Sequence, residues 1–175
     1  QMEFNLQKGN TVSFSGSVDN PKYEMLLKKK PFYDAAKRVF DITASVTGII
    51  VLSVPMAVIS LAIFIDDPGS PIFIQERTVM NGHKFKIYKF RTMVKDAEKM
   101  GAKLATERDD RITRIGRILR SCRLDELPQL INILKGEMSF VGPRPERPIY
   151  ADRYSVMVKN YDIRYTVKAG LTGYA

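Results

Sequence analysis

A chain of 175 residues has room for one compact domain and one additional element. Its 28 Lys and Arg against 19 Asp and Glu give a net charge of +9, which favours anionic partners such as nucleotides, lipid phosphates, an anionic membrane surface or nucleic acid. A single cysteine, Cys122, excludes an intramolecular disulfide. With a single histidine, His83, it also argues against a zinc centre, so a metal here should be a hard, oxygen-bound ion such as Mg²⁺.

The sequence opens on Gln1 without an initiator Met or a cleavable leader and stops at Ala175, directly after Gly170-Leu-Thr-Gly-Tyr. It reads as a piece of a longer polypeptide. Residues 1–22 are polar, with turn signals at Gly9-Asn10, Ser15-Gly16 and Asp19-Asn20-Pro21. They suit a linker or the edge of an N-terminal domain outside this sequence. Residues 23–66 form a second unit. Its basic lead-in sets Met25, Leu26, Phe32 and Tyr33 among Lys28, Lys29, Lys30, Lys37 and Arg38. That pattern suits a helix at a lipid headgroup surface, although a solvated linker fits residues 23–30 equally well.

From Ile42 to Ile65 no residue is charged, over 24 positions. As a straight helix this run measures roughly 36 Å at ~1.5 Å per residue, enough to cross a hydrocarbon core of about 30 Å. It is a membrane segment by composition. Pro55, close behind Ser53, lies near its centre, where a proline removes a hydrogen bond and kinks a helix. Seven Lys and Arg precede the run and 21 follow it. Basic flanks at both ends conflict with a simple crossing. The expectation is therefore a re-entrant hairpin, kinked at Ser53 and Pro55, with both flanks on one membrane face; a spanning helix is the alternative.

Residues 67–175 make up the third unit. Asp66-Asp67-Pro68-Gly69-Ser70-Pro71 is an exit turn. Residues 72–77 and 84–90 read as strands joined by a turn containing Asn81-Gly82, with Lys84, Lys86 and Arg91 on a basic, aromatic ribbon. The lysines are expected to be solvated. Val94 to Leu104 is a polar helical stretch. Residues 111–121 carry a helical pattern, with Ile112, Ile115, Ile118 and Leu119 on one face and Arg111, Arg114, Arg117 and Arg120 on the other. Such an arginine row should line an anionic groove or lie on headgroups.

Asp125 and Glu126 stand directly before Leu127-Pro128 and an apolar run that ends at Gly136. Proline in a first turn and glycine past the last turn place the two acids at or just before a helix N-terminus. They fit a phosphate or metal-phosphate site, or an ordinary cap salt-bridged to Arg117, Arg120 and Arg123. Residues 138–141 read as a short strand leading into Gly142-Pro-Arg-Pro-Glu-Arg-Pro148. Prolines on both sides hold the Arg144 guanidinium in one direction, which suits bidentate phosphate binding; a merely stiff surface loop fits as well. Tyr150, Tyr154, Tyr161 and Tyr165 among basic residues suit an interfacial surface.

Eight stretches occur in order: Lys37-Arg-Val-Phe-Asp41, the apolar run with Ser53-Val-Pro55, Asp67-Pro-Gly-Ser-Pro71, Tyr88-Lys-Phe-Arg-Thr-Met93, Arg114-Ile-Gly-Arg117, Leu124-Asp-Glu-Leu-Pro-Gln-Leu130, Val141-Gly-Pro-Arg-Pro145 and Gly170-Leu-Thr-Gly173. Over about residues 37–173 this resembles the bacterial sugar transferase family, the monotopic phosphoglycosyl transferases acting on polyprenol phosphate, and in particular the catalytic domain of its larger members. The resemblance implies a mixed α/β fold: a re-entrant (monotopic) membrane helix hairpin plus a small α+β catalytic domain with amphipathic interfacial helices. It implies that residues 67–175 are that catalytic domain, and that relatives continue beyond the Thr-Gly motif. It further implies transfer of a phospho-sugar from a UDP-sugar to polyprenol (undecaprenyl) phosphate with release of UMP, the first membrane step of exopolysaccharide, capsule or O-antigen synthesis.

In that scheme Asp125 is the nucleophile, forming a covalent phospho-sugar-aspartyl enzyme, and Glu126 together with Asp125 holds Mg²⁺. Arg120 and Arg144 bind phosphate or nucleotide, with Arg117 and Arg91 as further substrate-binding candidates. The implied partners are the UDP-sugar, the polyprenol phosphate and anionic membrane lipids, not nucleic acid; a homodimer is left open. The implied location is the bacterial inner membrane, with the catalytic domain on the cytoplasmic face. Two other classes share part of the pattern: a Mg²⁺-dependent phospho-aspartyl hydrolase, and a non-catalytic membrane adaptor. No motif identifies the sugar.

Overall fold

The computed structural model describes residues 30–78, 84–97, 109–158 and 161–173. The linker reading of residues 1–22, the lead-in up to residue 29, the Asn81-Gly82 turn and most of the stretch 94–104 lie outside these residues.

One helix organises the rest. Helix α1 runs from Pro31 to Asp66 without interruption, with Pro31 in its first turn and Pro55 inside it. At ~1.5 Å per residue its 36 residues reach about 54 Å. The backbone does not break into two arms at Ser53 and Pro55. The Ser53 hydroxyl donates to the Ile50 carbonyl at 2.7 Å, a local bond of the kind that tolerates proline in an apolar setting. One stripe of α1 packs inward: Asp41, Ser45 and Ile63 are buried, and Ile49, Leu52, Met56 and Ile59 pack against core clusters. The opposite stripe, including Ile50, Val51, Val54, Val58, Leu61 and Ile65, is exposed. Only 6% of its most apolar 18-residue window is buried within the chain. A contiguous apolar face of this size is not stable against water, so α1 is suited to membrane association.

Strands β1 (Ile72–Thr78) and β2 (Lys84–Phe90) pair antiparallel, from Ile72 opposite Phe90 to Thr78 opposite Lys84. Phe85 and Ile87 alternate into the core, as a half-buried strand requires. Helix α2 (Arg114–Ser121) is capped by Thr113, whose hydroxyl accepts from the Gly116 amide. It starts three residues later than the arginine pattern suggests, because Ile112 instead bridges to Met93. Gly116 lies against the Thr92 backbone so closely that a Cβ would collide with it. After a 3₁₀ turn (Leu124–Glu126), helix α3 (Gln129–Lys135) ends at Gly136 with φ 86°, the left-handed stop that glycine favours. Strands β3 (Ser139–Val141) and β4 (Gly170–Thr172) form a short parallel pair. Between them lie helix α4 (Pro148–Met157) and a 3₁₀ segment (Tyr161–Thr166). The architecture is a mixed α/β one: a long apolar helix against small two-stranded sheets.

Two apolar clusters join α1 to this framework. Phe85, Ile87, Leu130, Ile133, Met138 and Ala169 meet its middle, and Phe90 and Leu119 meet its C-terminal part around Ile63. Polar pins fix both ends. Arg38 donates to the carbonyls of Ile133 (2.7 Å) and Leu134 (2.8 Å), satisfying groups that the end of α3 leaves open. Asp41, 3% exposed, accepts from the Ser139 hydroxyl (3.0 Å) and the Phe140 amide (3.2 Å). Lys37 donates to the same serine. At the far end the Asp66 carboxylate accepts from the Ile115 amide. The Lys37-Arg-Val-Phe-Asp41 stretch is thus the clasp between the apolar helix and α3.

Candidate active site

Asp125 and Glu126 sit on the 3₁₀ turn, three to four residues ahead of α3. Arg123, just before, has φ 56°, the only non-glycine positive φ among the described residues. Such a conformation costs of order 1–3 kcal/mol and concentrates at functional sites. It folds the chain back sharply after α2, so that the two acids come under β2. Asn132, fully buried, fixes that approach from α3: it donates to the Lys86 carbonyl (2.7 Å) and accepts from the Tyr88 amide (3.0 Å).

The two carboxylates have different surroundings. Glu126 is 9% exposed, and its Oε1 accepts from Lys89 Nζ at 2.7 Å and from Arg144 Nη2 at 2.8 Å. Burial pushes its carboxyl up, but Lys89 and Arg144 together outweigh that and hold it below its ordinary value. Asp125 is half-buried and forms no ion pair among the described residues. Burial, and then the neighbouring Glu126 charge, push its carboxyl above the usual carboxylate range, against the pull of Lys89 and Arg120. The pair is therefore asymmetric: one half-buried carboxylate with a raised pKa beside one doubly paired, fixed anion.

The cations arrive from distant elements. Arg144 projects from the Pro143-Arg144-Pro145 loop, whose carbonyls are themselves held: that of Arg144 by Arg164 Nη2 (2.6 Å) and that of Pro145 by Arg77 Nη1 (3.2 Å). The loop is therefore stiffened by two arginines as well as by its prolines. Arg120 leaves the end of α2, donates from Nε to Thr92 Oγ1 (2.8 Å), and exerts its charge on Asp125. Four expected site residues thus converge: Asp125, Glu126, Arg120 and Arg144.

Other expectations differ. Arg91 is not available to a substrate: it is 9% exposed and pinned to the Asp67 carbonyl and carboxylate, the latter at 3.4 Å. Its role is to close the exit turn of α1 onto β2. Arg117 is exposed on α2 without a contact to the acidic pair among the described residues. Arg111 lies outside α2 and is bonded to Asp109 at 2.6 Å, so the row of four arginines is not a single helix face.

Sequence reasoning gave no role to Lys89, Arg77, Gln129 or Arg164. Lys89 lies in the Tyr88-Lys-Phe-Arg-Thr-Met93 stretch, and a lysine between two aromatic residues, flanked by an arginine, was the available signal.

Among the described residues no group of three or more His, Cys, Asp or Glu could enclose a metal. The donor set still fits Mg²⁺ bound with a phosphorylated substrate, since that ion commonly takes one or two carboxylates and fills its octahedron with phosphate oxygens and water. Glu126 Oε1 accepts from two cations, so Glu126 Oε2 and the Asp125 carboxylate are the oxygens that would hold such an ion.

Comparison with known proteins places the chain among named relatives. The family model described as bacterial sugar transferase matches residues 32–175. A Bacillus subtilis (strain 168) protein, named provisionally as an undecaprenyl-phosphate N-acetylgalactosaminyl 1-phosphate transferase, is 42% identical over 158 residues, covering 90% of this chain and 88% of its own length. An Aeromonas hydrophila UDP-N-acetylgalactosamine-undecaprenyl-phosphate N-acetylgalactosaminephosphotransferase is 40% identical over 85% of this chain but only 35% of its own length. A Caulobacter vibrioides UDP-glucose:undecaprenyl-phosphate glucose-1-phosphate transferase is 42% identical over 81% of this chain and 53% of its own length. The chain spans about a third to a half of these last two relatives, and most of the first. A family match along residues 32–175 and 42% identity to a relative covered over 88% of its length show that the chain belongs to the bacterial sugar transferase family.

Proposed function

We propose that this chain transfers a phospho-sugar from a UDP-sugar to a polyprenol phosphate such as undecaprenyl phosphate, through Asp125. The observation that carries the reading is the asymmetry of the dyad: Asp125 is half-buried and forms no ion pair among the described residues, while Glu126 is held by Lys89 and Arg144. Asp125 attacks the sugar-side phosphorus of the diphosphate, the bond to the bridging oxygen breaks, and UMP leaves. The lipid phosphate then attacks the same phosphorus and frees Asp125. Dividing the transfer lets one site serve a soluble donor and a lipid acceptor in turn. A carboxylate attacking a diphosphate must overcome charge repulsion, and Arg120, Arg144 and Lys89 are positioned to offset it. Mg²⁺ held by Asp125 and Glu126 would neutralise diphosphate charge.

Two contacts of α1 support a membrane arrangement. Arg38 and Asp66, about 42 Å apart along α1 at ~1.5 Å per residue, both bond to the one domain that carries the dyad. A helix crossing the bilayer at right angles would carry one of these pins to the far side. We therefore favour a monotopic chain, with both flanks of α1 on the same, cytoplasmic, face of the bacterial inner membrane and its exposed apolar stripe in lipid. The acceptor phosphate lies at headgroup level, which is where such a site would sit.

The test is covalent capture. Detergent-solubilised protein incubated with a panel of radiolabelled UDP-sugars and Mg²⁺, without acceptor, should retain label for one sugar class and release it on addition of undecaprenyl phosphate. Asp125→Asn should lose both label and product. Retained turnover in that variant would overturn the assignment of the nucleophile. Release of the label to water at the same rate without the lipid would point to a hydrolase.

A further inference from the structure

The direction of the Arg144 side chain is set by the two peptide planes that flank its Cα. Those planes are rigid, and φ and ψ describe only how they are turned, so holding both aims the Cα–Cβ bond. The preceding plane is held at the Pro143 carbonyl, which accepts from the Gly170 amide at 2.9 Å. Gly170 allows that approach, since a Cβ there would collide with the Gly142 backbone. The following plane joins Arg144 to Pro145, and proline carries no amide hydrogen. The Arg144 carbonyl is the only hydrogen-bonding group on that plane, and Arg164 Nη2 donates to it at 2.6 Å. Further along, the Pro145 carbonyl accepts from Arg77 Nη1 (3.2 Å) and the Glu146 carbonyl from the Thr78 amide (2.9 Å). Those two bonds stiffen the loop but lie one plane or more beyond the Arg144 Cα.

Arg164 is itself clamped. Its Nη1 donates to the Tyr161 hydroxyl at 2.5 Å, and its guanidinium carbon lies 4.7 Å from the centre of the same ring, within cation–π reach. Tyr161 packs against Tyr154 and Tyr165, with ring centroids 5.7 and 5.9 Å apart, and Tyr154 stacks on Tyr150 at 6.5 Å. All four rings are half-buried. The row ties α4, which starts directly after the loop, to the 3₁₀ segment that carries Arg164. At the other end of this line of contacts, Arg144 Nη2 donates to Glu126 Oε1 at 2.8 Å while 58% of the side chain stays exposed. One nitrogen of the fork is thus on the acidic pair, and the rest faces outward.

We propose that Arg164, clamped by Tyr161, is a positioning residue for Arg144: through the Arg144 carbonyl it aims the guanidinium at Glu126 and at the anionic substrate. What Arg144 does to the substrate rests on the phosphoglycosyl-transfer reading above; the aiming does not. Without Arg164 the Arg144–Pro145 plane loses its one tether and the fork turns away from Glu126. A misplacement of about 1 Å costs on the order of 10²-fold in rate when it moves a group that must meet developing charge. Arg164 touches no reacting atom, so its effect passes through Arg144.

The test uses the full chain in detergent, with Arg164→Met, which removes the donors, and Tyr161→Phe, which keeps the ring and removes the hydroxyl. Two quantities are measured: the rate of UDP-sugar labelling, and the reaction of individual arginines with phenylglyoxal, located by mass spectrometry. Arg164→Met should slow labelling by about 10-fold to 10²-fold. In an Arg144→Met background it should slow labelling no further, because two residues that act as one unit are not additive. Arg144 should react about tenfold faster in Arg164→Met, the size of a lost hydrogen bond between charged groups, and by a smaller factor in Tyr161→Phe. Arg91, buried against Asp67, should stay as protected as in the wild type. An equal slowing with and without Arg144, or a rise at Arg91 that matches the rise at Arg144, would mean general loosening and overturn the proposal. If Arg164→Met does not fold, Tyr161→Phe decides: faster reaction at Arg144 alone supports the aiming, and no change at Arg144 sinks it. If the wild type is labelled by no UDP-sugar, the transfer reading fails, and the phenylglyoxal pattern still decides the positioning.

Discussion

Lys89→Met isolates the contact on which the site's electrostatics depend. Lys89 Nζ lies 2.7 Å from Glu126 Oε1, with side-chain exposures of 17% and 11%. Removing one partner of a buried pair costs about 3–5 kcal/mol, because the other charge is stranded. Here Arg144 remains 2.8 Å from the same oxygen, so we expect the lower figure of about 2–3 kcal/mol. For a chain of this size each kcal/mol shifts Tm by about 2–4 °C, giving a fall of roughly 5–10 °C. Lys89 is also the leading attractive charge on both acids. Without it both carboxyls titrate higher, so the acid limb of UDP-sugar labelling should move to higher pH, and turnover at neutral pH should fall by about 10²-fold, as for loss of one electrostatic stabiliser. Lys89→Arg should recover most of the stability. The assays are thermal melts in detergent and labelling rates from pH 4 to about pH 8, bracketing the ordinary carboxylate range. A methionine variant with wild-type Tm and an unmoved acid limb would refute the account of the dyad.

Arg38→Ala removes both bonds to the end of α3 and should cost about 2–3 kcal/mol, at roughly 1.5 kcal/mol for each charged hydrogen bond; Arg38→Lys should lose about half of that. Equal melting of wild type and Arg38→Ala would mean that α1 is not clasped at this point. Acid titration should separate the two carboxylates. Glu126 has a depressed folded pKa, so its stabilising contribution is complete above its ordinary value of 4.5 and is lost as pH falls through the folded value. Asp125 has a raised folded pKa, so its effect has the opposite sign: its protonated form favours folding fully below 3.8, and this is lost as pH rises through the folded value. Falling pH should therefore stop labelling as Asp125 takes up its proton, and should weaken the fold as Glu126 loses its charge. In pH-dependent melts Glu126→Gln should flatten the acid limb and Asp125→Asn should remove the opposing step; an unchanged acid limb in Glu126→Gln would count against the ion triad.

Much of this was legible in the chain itself. A run of 24 uncharged positions marks a helix suited to membrane association before any fold is known, because its length matches a hydrocarbon core. The acidic pair, the proline-bracketed Arg144 and the stop at Gly136 are local features, set by backbone chemistry over a few residues, and each stands where its sequence places it. Which groups meet was decided only by packing. Lys89 reaches Glu126 across 37 positions because Asn132 ties α3 to β2 and the Arg123 reversal brings the acids beneath that strand. Arg91, two residues further along, turns instead to Asp67 and is lost to the site. Periodicity assigns a residue to a face; it does not say what the face will touch. Likewise, composition gave α1 its solvent, but only the pins at Arg38, Asp41 and Asp66 lay it along the domain, because a charged or polar group must find its partner wherever the fold brings one within hydrogen-bond reach.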